Sequence, residues 1–229
     1  MKLNADWTQR VVVHAAQLPW QASPIAGVER RMLHRVGAEV AQASSLVRYA
    51  PGSQFSAHTH TGGEEFLVLE GVFQDEHGDY PVGSYIRNPP GTQHTPGSQP
   101  GTTIFVKLWQ FAPQDRTQVK THIDKLAQVP DAQRAGVRVS PLYRDEREDV
   151  RVEHWGANSR IELALPEGGE FLLIEGQFDE NAERFEAQSW LRLPPGSRLQ
   201  ADTGPQGAKV WAKLGHLRQL AQLRLPGES

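Results

Sequence analysis

The residues whose types and spacing point most clearly to chemistry are three histidines and a glutamate in the first half of the chain. They are His58, His60, Glu64 and His94. Because His58 and His60 are one residue apart, their side chains point to the same face of a strand, with Cα atoms roughly 6.5 to 7 Å apart. Two such imidazoles can lean onto one ion at about 2.0 to 2.1 Å per metal–nitrogen bond. The pair therefore predicts half of a metal site.

Glycines and prolines around the histidines predict the turns that bring in the other two ligands. The turn Thr61-Gly62-Gly63 reverses the chain, so Glu64 begins the next strand beside the histidine pair, and Glu65 points the other way as a structural residue. The rigid turn Pro89-Pro90-Gly91 aims His94 from a different strand. Three imidazoles and one carboxylate suit one divalent transition metal, such as Zn, Fe, Mn or Ni.

Other polar residues are assigned no chemistry. The competing interpretation, in which the His58 and His60 pair faces solvent, is disfavoured because two separately spaced half-motifs agree. The histidines outside this spacing are predicted to be structural. For the further polar candidates near the site we favour surface placement; these are Arg48, Tyr85, Arg87 and Lys107. We assign no catalytic residue and no organic cofactor site.

The chain repeats itself at an offset of 105 residues. The segment EFLVLEGVFQ at 65–74 resembles EFLLIEGQFD at 170–179, and Pro89-Pro90-Gly91 resembles Pro194-Pro195-Gly196. We therefore predict two tandem modules, a metal-binding module at 1–114 and a degenerate module at 115–229.

The second module is predicted to have lost the metal site. The positions equivalent to the four ligands are Leu163, Leu165, Gly169 and Leu199. Apolar side chains there would fill the space and remove the free-energy cost of burying imidazoles without a metal.

Both modules are predicted to be all-β. Short runs rich in Val, Ile, Leu, Phe and Tyr are separated by Gly, Pro, Asp and Asn clusters, which favours barrels or sandwiches. The segment TQRVVVHAAQLP (8–19) is expected to pair as an early strand of the first module, and TQVKTHIDKLAQVP (117–130) as an early strand of the second. A short terminal helix is expected within 214–225.

Composition excludes several classes of function. The net charge of -3 is unlike the basic surface of a nucleic-acid binder. The sequence has no Cys, so disulfides and thiolate ligands are excluded. We find no signal peptide and no run of apolar residues long enough to span a membrane, so we expect a soluble cytoplasmic protein. The sequence does not distinguish between a monomer and a homodimer.

The segments HTHTGGEEFLVLEG, DYPVGSYIRNPPGTQH and VKLWQF resemble the cupin superfamily, in particular the cupin domain of ChrR-type anti-sigma factors. The resemblance implies two tandem antiparallel β-barrels of the jelly-roll type, with one metal held by the four ligands named above. In ChrR-like proteins this domain follows a helical, Cys-containing zinc domain that binds an extracytoplasmic-function sigma factor. The assembly responds to singlet oxygen or organic peroxide.

The resemblance leaves two functions open. Because the chain has no Cys and its first strand is expected near residue 10, we expect it to lack the sigma-binding domain. Our leading hypothesis is a stand-alone metal-dependent regulator or ligand sensor in transcription or the oxidative-stress response, with a small molecule as ligand and a sigma factor as a doubtful partner. The alternative is an Fe(II)-dependent dioxygenase that acts on a diketone or an aromatic ketone, since related cupins resemble such enzymes.

Overall fold

The computed structural model describes residues 1–38 and 40–220, and almost all of its regular structure is β. The first strands in chain order are β1 (Lys2–Leu3), β2 (Val11–His14), β3 (Gln21–Ala22), β4 (Val28–Gly37), β5 (Ala41–Tyr49), β6 (Ser53–Gln54), β7 (His58–Thr59), β8 (Glu64–Asp75), β9 (Gly78–Pro81), β10 (Ser84–Asn88) and β11 (Gln93–His94). The remaining strands are β12 (Gly97–Ser98), β13 (Thr102–Leu108), β14 (Val119–His122), β15 (Val129–Pro130), β16 (Val137–Arg144), β17 (Asp149–Trp155), β18 (Arg160–Leu165), β19 (Gly169–Glu180), β20 (Glu183–Phe185), β21 (Ser189–Leu193) and β22 (Ser197–Leu214).

Helical structure in the described part of the chain is limited to three short segments. Two 3-10 helices cover Ala15–Gln17 and Ile123–Lys125, and one α-helix, α1, covers Leu217–Leu220. The helix expected within 214–225 is therefore present as this single turn, and its predicted end lies outside the described residues. No helix of the described residues is long and apolar enough to cross a membrane.

The chain forms two compact units. Unit 1 contains Met1–Ala5 and Leu18–Asp124, and unit 2 contains Asp6–Gln17 and, within the described residues, 125–220. The prediction of an all-β chain is confirmed. That each unit closes into a jelly-roll barrel, and that the repeat boundary lies between 114 and 115, both stay predictions.

The expected pairing of the two early strands is wrong. Strand β14 pairs antiparallel with β10 in unit 1, and β2 pairs antiparallel with β21 in unit 2. Each strand therefore completes the sheet of the other half of the sequence. The strands to which they add are β10 (SYIRN) and β21 (SWLRL), which have similar sequences. Before the strand is added, each has backbone N–H and C=O groups along its outer edge that can pair with it. The pattern of residues within the added strand does not select between them.

Strand β8 carries the core of unit 1 and is buried on both faces. Phe66 and Val68 lie opposite Val106 and Ile104 of β13 and form the apolar core with them. On the other face Glu65 is only 1% exposed. Two-sided burial is the reason why charged side chains of this region are found inside.

The structure therefore corrects the expected surface placement of three polar residues. Tyr85, Arg87 and Lys107 are at most 1% exposed, whereas the Arg48 side chain is 43% exposed. The Tyr85 hydroxyl donates to Glu65 Oε1 at 2.5 Å, and Lys107 Nζ donates to Ser44 Oγ at 2.9 Å. These hydrogen bonds compensate for the loss of water around buried polar atoms.

A buried ion pair attaches the segment before β14 to unit 1. Arg87 Nη2 lies 2.6 Å from Asp115 Oδ2, and the two side chains are 1% and 2% exposed. Arg87 Nη1 also donates to the Thr117 carbonyl at 2.8 Å, and the Thr117 amide donates to Asp115 Oδ1 at 2.9 Å. Asp115 thus both neutralises a buried guanidinium and fixes the start of the exchanged segment.

Replacing Asp115 with Ala is expected to destabilise unit 1 by about 3 to 5 kcal/mol, because it leaves a buried charge without its ionic partner. Urea unfolding of the full chain measures the loss. The matched control is Asp202→Ala, which removes the ionic partner of Arg160. The side chains of Arg160 and Asp202 are 56% and 61% exposed, so this substitution should leave the unfolding transition unchanged. Equal effects of the two substitutions would contradict the assignment.

Candidate metal centre

The four predicted ligands come from three neighbouring places in unit 1. His58 lies on β7 and pairs directly with His94 on β11. His60 follows β7, and its amide donates to the Thr92 carbonyl at 2.8 Å. Glu64 begins β8. The two-stranded ribbon and the start of β8 thus bring the four side chains together; below, "the His–Glu cluster" means these four residues.

The turn between the histidine pair and Glu64 needs its two glycines. A Cβ atom at Gly62 would come within 2.1 Å of the Trp109 ring, and one at Gly63 within 2.4 Å of the Phe111 ring. Gly63 also has a positive φ of 79°, which side chains other than glycine rarely adopt. Aromatic rings therefore pack directly on the turn and hold the start of β8 beside His60.

The distances within the His–Glu cluster fit a single cation. His60 Nε2 lies 3.2 Å from His94 Nε2 and 3.2 Å from Glu64 Oε2, and His94 Nε2 lies 3.7 Å from the same oxygen. Two ligands at about 2.1 Å from one metal are separated by about 3.0 Å at a right angle and about 3.4 Å at the tetrahedral angle. One ligand atom from each residue lies within 4.8 Å of the others.

Hydrogen bonds outside the cluster leave the inward ring nitrogens free to coordinate. Thr92 Oγ1 donates to the Pro89 carbonyl at 2.7 Å, so at 3.0 Å it accepts from the Nδ1–H of His60. Asp75 Oδ2, 3.4 Å from His94 Nδ1, is likewise an acceptor. With the proton on Nδ1, each Nε2 carries a lone pair towards the other. A cation between them would stabilise two lone pairs and a carboxylate that face one point.

A chain of amides orients Glu64. Asn88 Nδ2 lies 3.5 Å from Glu64 Oε2, and Gln118 Nε2 donates to Asn88 Oδ1 at 3.1 Å. Gln118 immediately precedes β14, so the exchanged strand supports the site from a segment that the sequence repeat assigns to the second module. The support therefore depends on the strand exchange.

Buried charges shift the protonation of the cluster in different directions. Burial opposes ionisation of Glu64, but the His60 hydrogen bond and the nearby histidines outweigh it and hold the pKa of that carboxyl below its usual range. Burial lowers the pKa of His58 and favours its neutral form. For His94, burial is outweighed by the Asp75 hydrogen bond and by Glu64, which together raise the pKa of that imidazole. A metal at His94 thus competes with a proton.

A cavity of about 750 Å³ opens onto the cluster. Its lining includes His58, His60 and Glu64 at one place and apolar side chains such as Val47 and Ile104 over much of the rest. The volume lies within the range of small-molecule sites in proteins. The site therefore has both a donor set for a metal and room for an organic molecule.

Unit 2 keeps the backbone of the site without its chemistry. Leu163 pairs with Leu199 just as His58 pairs with His94 in unit 1. Leu165 and Leu199 are at most 2% exposed and belong to the apolar core of unit 2. A Cβ atom at Gly169 would lie 2.8 Å from a Leu214 methyl group. Within the described part of this unit, leucine side chains fill the place of the ligands, and no group of metal-ligating residues is found.

Several functional side chains carry no signal in the sequence. Asp75, Thr92 and Asn88 support the ligands, but each lies far from its partner along the chain or is of a type common in turns. Tyr49 lines the cavity, and only its place on β5 reveals this. The four predicted ligands themselves are brought together as expected, and their binding of a metal stays a prediction.

Comparisons with known proteins agree with this fold. Residues 8–112 match the family described as the ChrR Cupin-like domain. Among solved structures, a candidate dioxygenase from Nostoc punctiforme is similar with a TM-score of 0.74 and 15% identity, covering 90% of this chain and 82% of that one. Protein Ylba from Escherichia coli has a TM-score of 0.70 and 14% identity over 91% of this chain and 92% of its own.

A third similar structure contains a metal. The bacterial pirin YhhW from Escherichia coli, in complex with nickel(II), has a TM-score of 0.63 and 13% identity and covers 90% of this chain and 98% of its own. No curated protein matches the sequence. At these identities the solved structures establish the fold and not the activity.

Substituting His58 or His94 with Ala is expected to reduce bound metal from one ion per chain to a small fraction of that amount, because each substitution removes a nitrogen that faces the metal position. Elemental analysis after gentle purification measures the metal content. The matched control is Leu163→Ala, which changes the counterpart of His58 in unit 2 and should leave metal content unchanged. Two ions per wild-type chain, or metal retained by both histidine variants, would contradict the assignment.

Replacing Asp75 with Asn is expected to weaken metal binding by about 10 to 100-fold, because the amide no longer holds the Nδ1 proton of His94 as a carboxylate does. Competition with a chelator measures the affinity. Asp79→Asn, at an exposed position on β9, serves as the control. Unchanged affinity in Asp75→Asn would show that this contact does not orient His94.

Proposed function

We propose that unit 1, which holds most of the ChrR-like cupin domain at residues 8–112, is a single-metal dioxygenase centre for an oxygen-bearing organic substrate. The proposed substrates are diketones and aromatic ketones, as the resemblance to related cupin dioxygenases implies. Unit 2 has a structural role in this proposal, since leucines fill its equivalent site.

One observation carries the proposal: the His–Glu cluster opens onto a largely apolar cavity of about 750 Å³. Three imidazoles and one carboxylate leave two positions free on an octahedral metal. A purely structural metal site is closed, whereas a catalytic one keeps an open position. A solved structure with a similar fold is described as a candidate dioxygenase, which makes this class of reaction the first to test.

The proposed reaction balances without a further reductant. One dioxygen adds to a β-diketone, the bond between a carbonyl carbon and the central carbon breaks, and the products are a carboxylic acid and an α-ketoaldehyde that share the two new oxygen atoms. When bound, a redox-active divalent metal supplies Lewis acidity and electron transfer. The chain's own residues would hold the cation, orient the ketone oxygens beside it and keep water away with the apolar wall.

The test uses the full chain loaded anaerobically with Fe(II) and offered a panel of β-diketones and hydroxyacetophenones in aerated buffer. We expect oxygen uptake equal to the acid formed, with His94→Ala inactive and Leu163→Ala active. The proposal would be overturned if the wild-type chain, loaded with one iron, consumed no more oxygen than His94→Ala with every compound of the panel.

A second function is favoured by the family match, since the matched family is named for ChrR. In this alternative the metal-bound cavity senses a small molecule and takes part in transcriptional regulation under oxidative stress, with a sigma factor as partner. Ligand or peroxide treatment of the metal-loaded chain should then change its protease sensitivity without turnover. Co-purification with an extracytoplasmic-function sigma factor, lost in His94→Ala, would favour this alternative over the enzyme.

A further inference from the structure

Tyr49 is a polar residue of the cavity that the metal site does not use. It lies on β5 and lines the same cavity as His58 and Glu64. Its ring is fixed 4.7 Å from the Phe55 ring and 5.9 Å from the Phe73 ring, and Phe73 lies 5.6 Å from His94. Aromatic packing therefore holds Tyr49 in one place near the metal ligands.

No hydrogen bond of the Tyr49 hydroxyl is found among residues 1–38 and 40–220. It is not one of the unpaired polar atoms that are sealed from solvent, and Tyr49 is a half-buried residue of the cavity lining. Burial, followed by the negative charge of Glu64, raises the pKa of Tyr49, so the hydroxyl keeps its proton and remains a donor. A donor left open in a ligand-sized cavity is suited to an acceptor on the ligand.

Unit 2 shows how the same position behaves where no site exists. Lys107 of β13 pairs with Ser44 in unit 1, and its counterpart Lys213 pairs with Val150 in unit 2. Ser44 and Val150 are therefore equivalent. Five residues further along the same strands, Trp155 takes the position of Tyr49. The indole Nε1 of Trp155 donates to Glu153 Oε2 at 2.7 Å. The polar atom is thus satisfied within unit 2, whereas in unit 1 the position of Glu153 is occupied by Val47.

The charges of the described cavity lining indicate an anionic ligand. Besides the histidines, these charges are Glu64 and two arginines, Arg30 and Arg35. Both arginines lie on β4, and burial followed by the charge of Arg30 lowers the pKa of Arg35. With a divalent metal at the cluster the lining carries an excess of positive charge, which attracts an anion.

The apolar part of the lining determines the rest of the ligand. Val28, Val47, Ile104, Val106 and Leu108 form a continuous aliphatic surface on β4, β5 and β13. Such a surface binds a hydrocarbon or aromatic body and gives no hydrogen bonds to a strongly polar one.

We propose that Tyr49 is a ligand-binding residue whose hydroxyl donates a hydrogen bond to an anionic oxygen, a carboxylate or an enolate, of an apolar organic molecule held in the cavity. The inference rests on the proposed function for the position of the metal, but it does not depend on turnover. It names the substrate class of that site as apolar organic anions and assigns Tyr49 to their recognition.

The experiment measures binding by calorimetry to the full chain loaded with Zn(II), which supports no oxygen chemistry. The probes are 3-phenylpropanoate and its neutral amide. We expect the wild type to prefer the acid, and Tyr49→Phe to bind the acid roughly tenfold or more weakly, because a hydrogen bond to a charged group is lost. Metal content should not change. Tyr143→Phe is the matched control, since its hydroxyl bonds to Asp145 in unit 2, and it should behave as wild type.

The outcomes separate this inference from the proposed function. Three outcomes would overturn the inference. Wild type and Tyr49→Phe could bind the acid equally well, wild type could bind acid and amide equally well, or neither probe could bind. Selective loss in Tyr49→Phe supports it even when the Fe(II) form consumes no oxygen, in which case only the dioxygenase proposal fails. Oxygen uptake by Tyr49→Phe with an unchanged KM would overturn the inference and leave the dioxygenase in place.

Discussion

The approach of two imidazole nitrogens and a carboxylate oxygen to one point is the interaction on which the candidate site of unit 1 depends. The Nε2 atoms of His60 and His94 are 3.2 Å apart, and their outward nitrogens face a hydroxyl that donates elsewhere and a carboxylate. Without a cation these groups would repel or would take up protons. The glycine turn, the β7–β11 ribbon and the amides beside Glu64 all serve to hold this arrangement.

The repeat shows what happens to the same backbone when the chemistry is removed. The pairing of His58 with His94 is conserved in the pairing of Leu163 with Leu199, so the ribbon does not require the metal. In unit 2 leucines close the space, and Trp155 bonds to Glu153. In unit 1 the same region contains the cavity. The same backbone arrangement thus supports a polar open site in one unit and a dry core in the other.

The sequence predicts the β class, the internal repeat and the residues that converge, because each is encoded locally by strand pattern, glycine turns and histidine spacing. It does not predict the strand exchange, because SYIRN and SWLRL are equally good edges for β2 and β14. It misplaces Tyr85, Arg87 and Lys107, because a strand buried on both faces gives polar residues no solvent side. Asp75 and Tyr49 are missed because their roles depend on packing between distant strands.

The most direct test of the account is X-ray absorption spectroscopy at the metal edge of the chain loaded with one equivalent of divalent metal. We expect three imidazole nitrogens at about 2.0 to 2.1 Å from the metal, together with oxygen donors. A shell made only of oxygen, or one that keeps its imidazoles when His58 and His94 are both replaced, would contradict it.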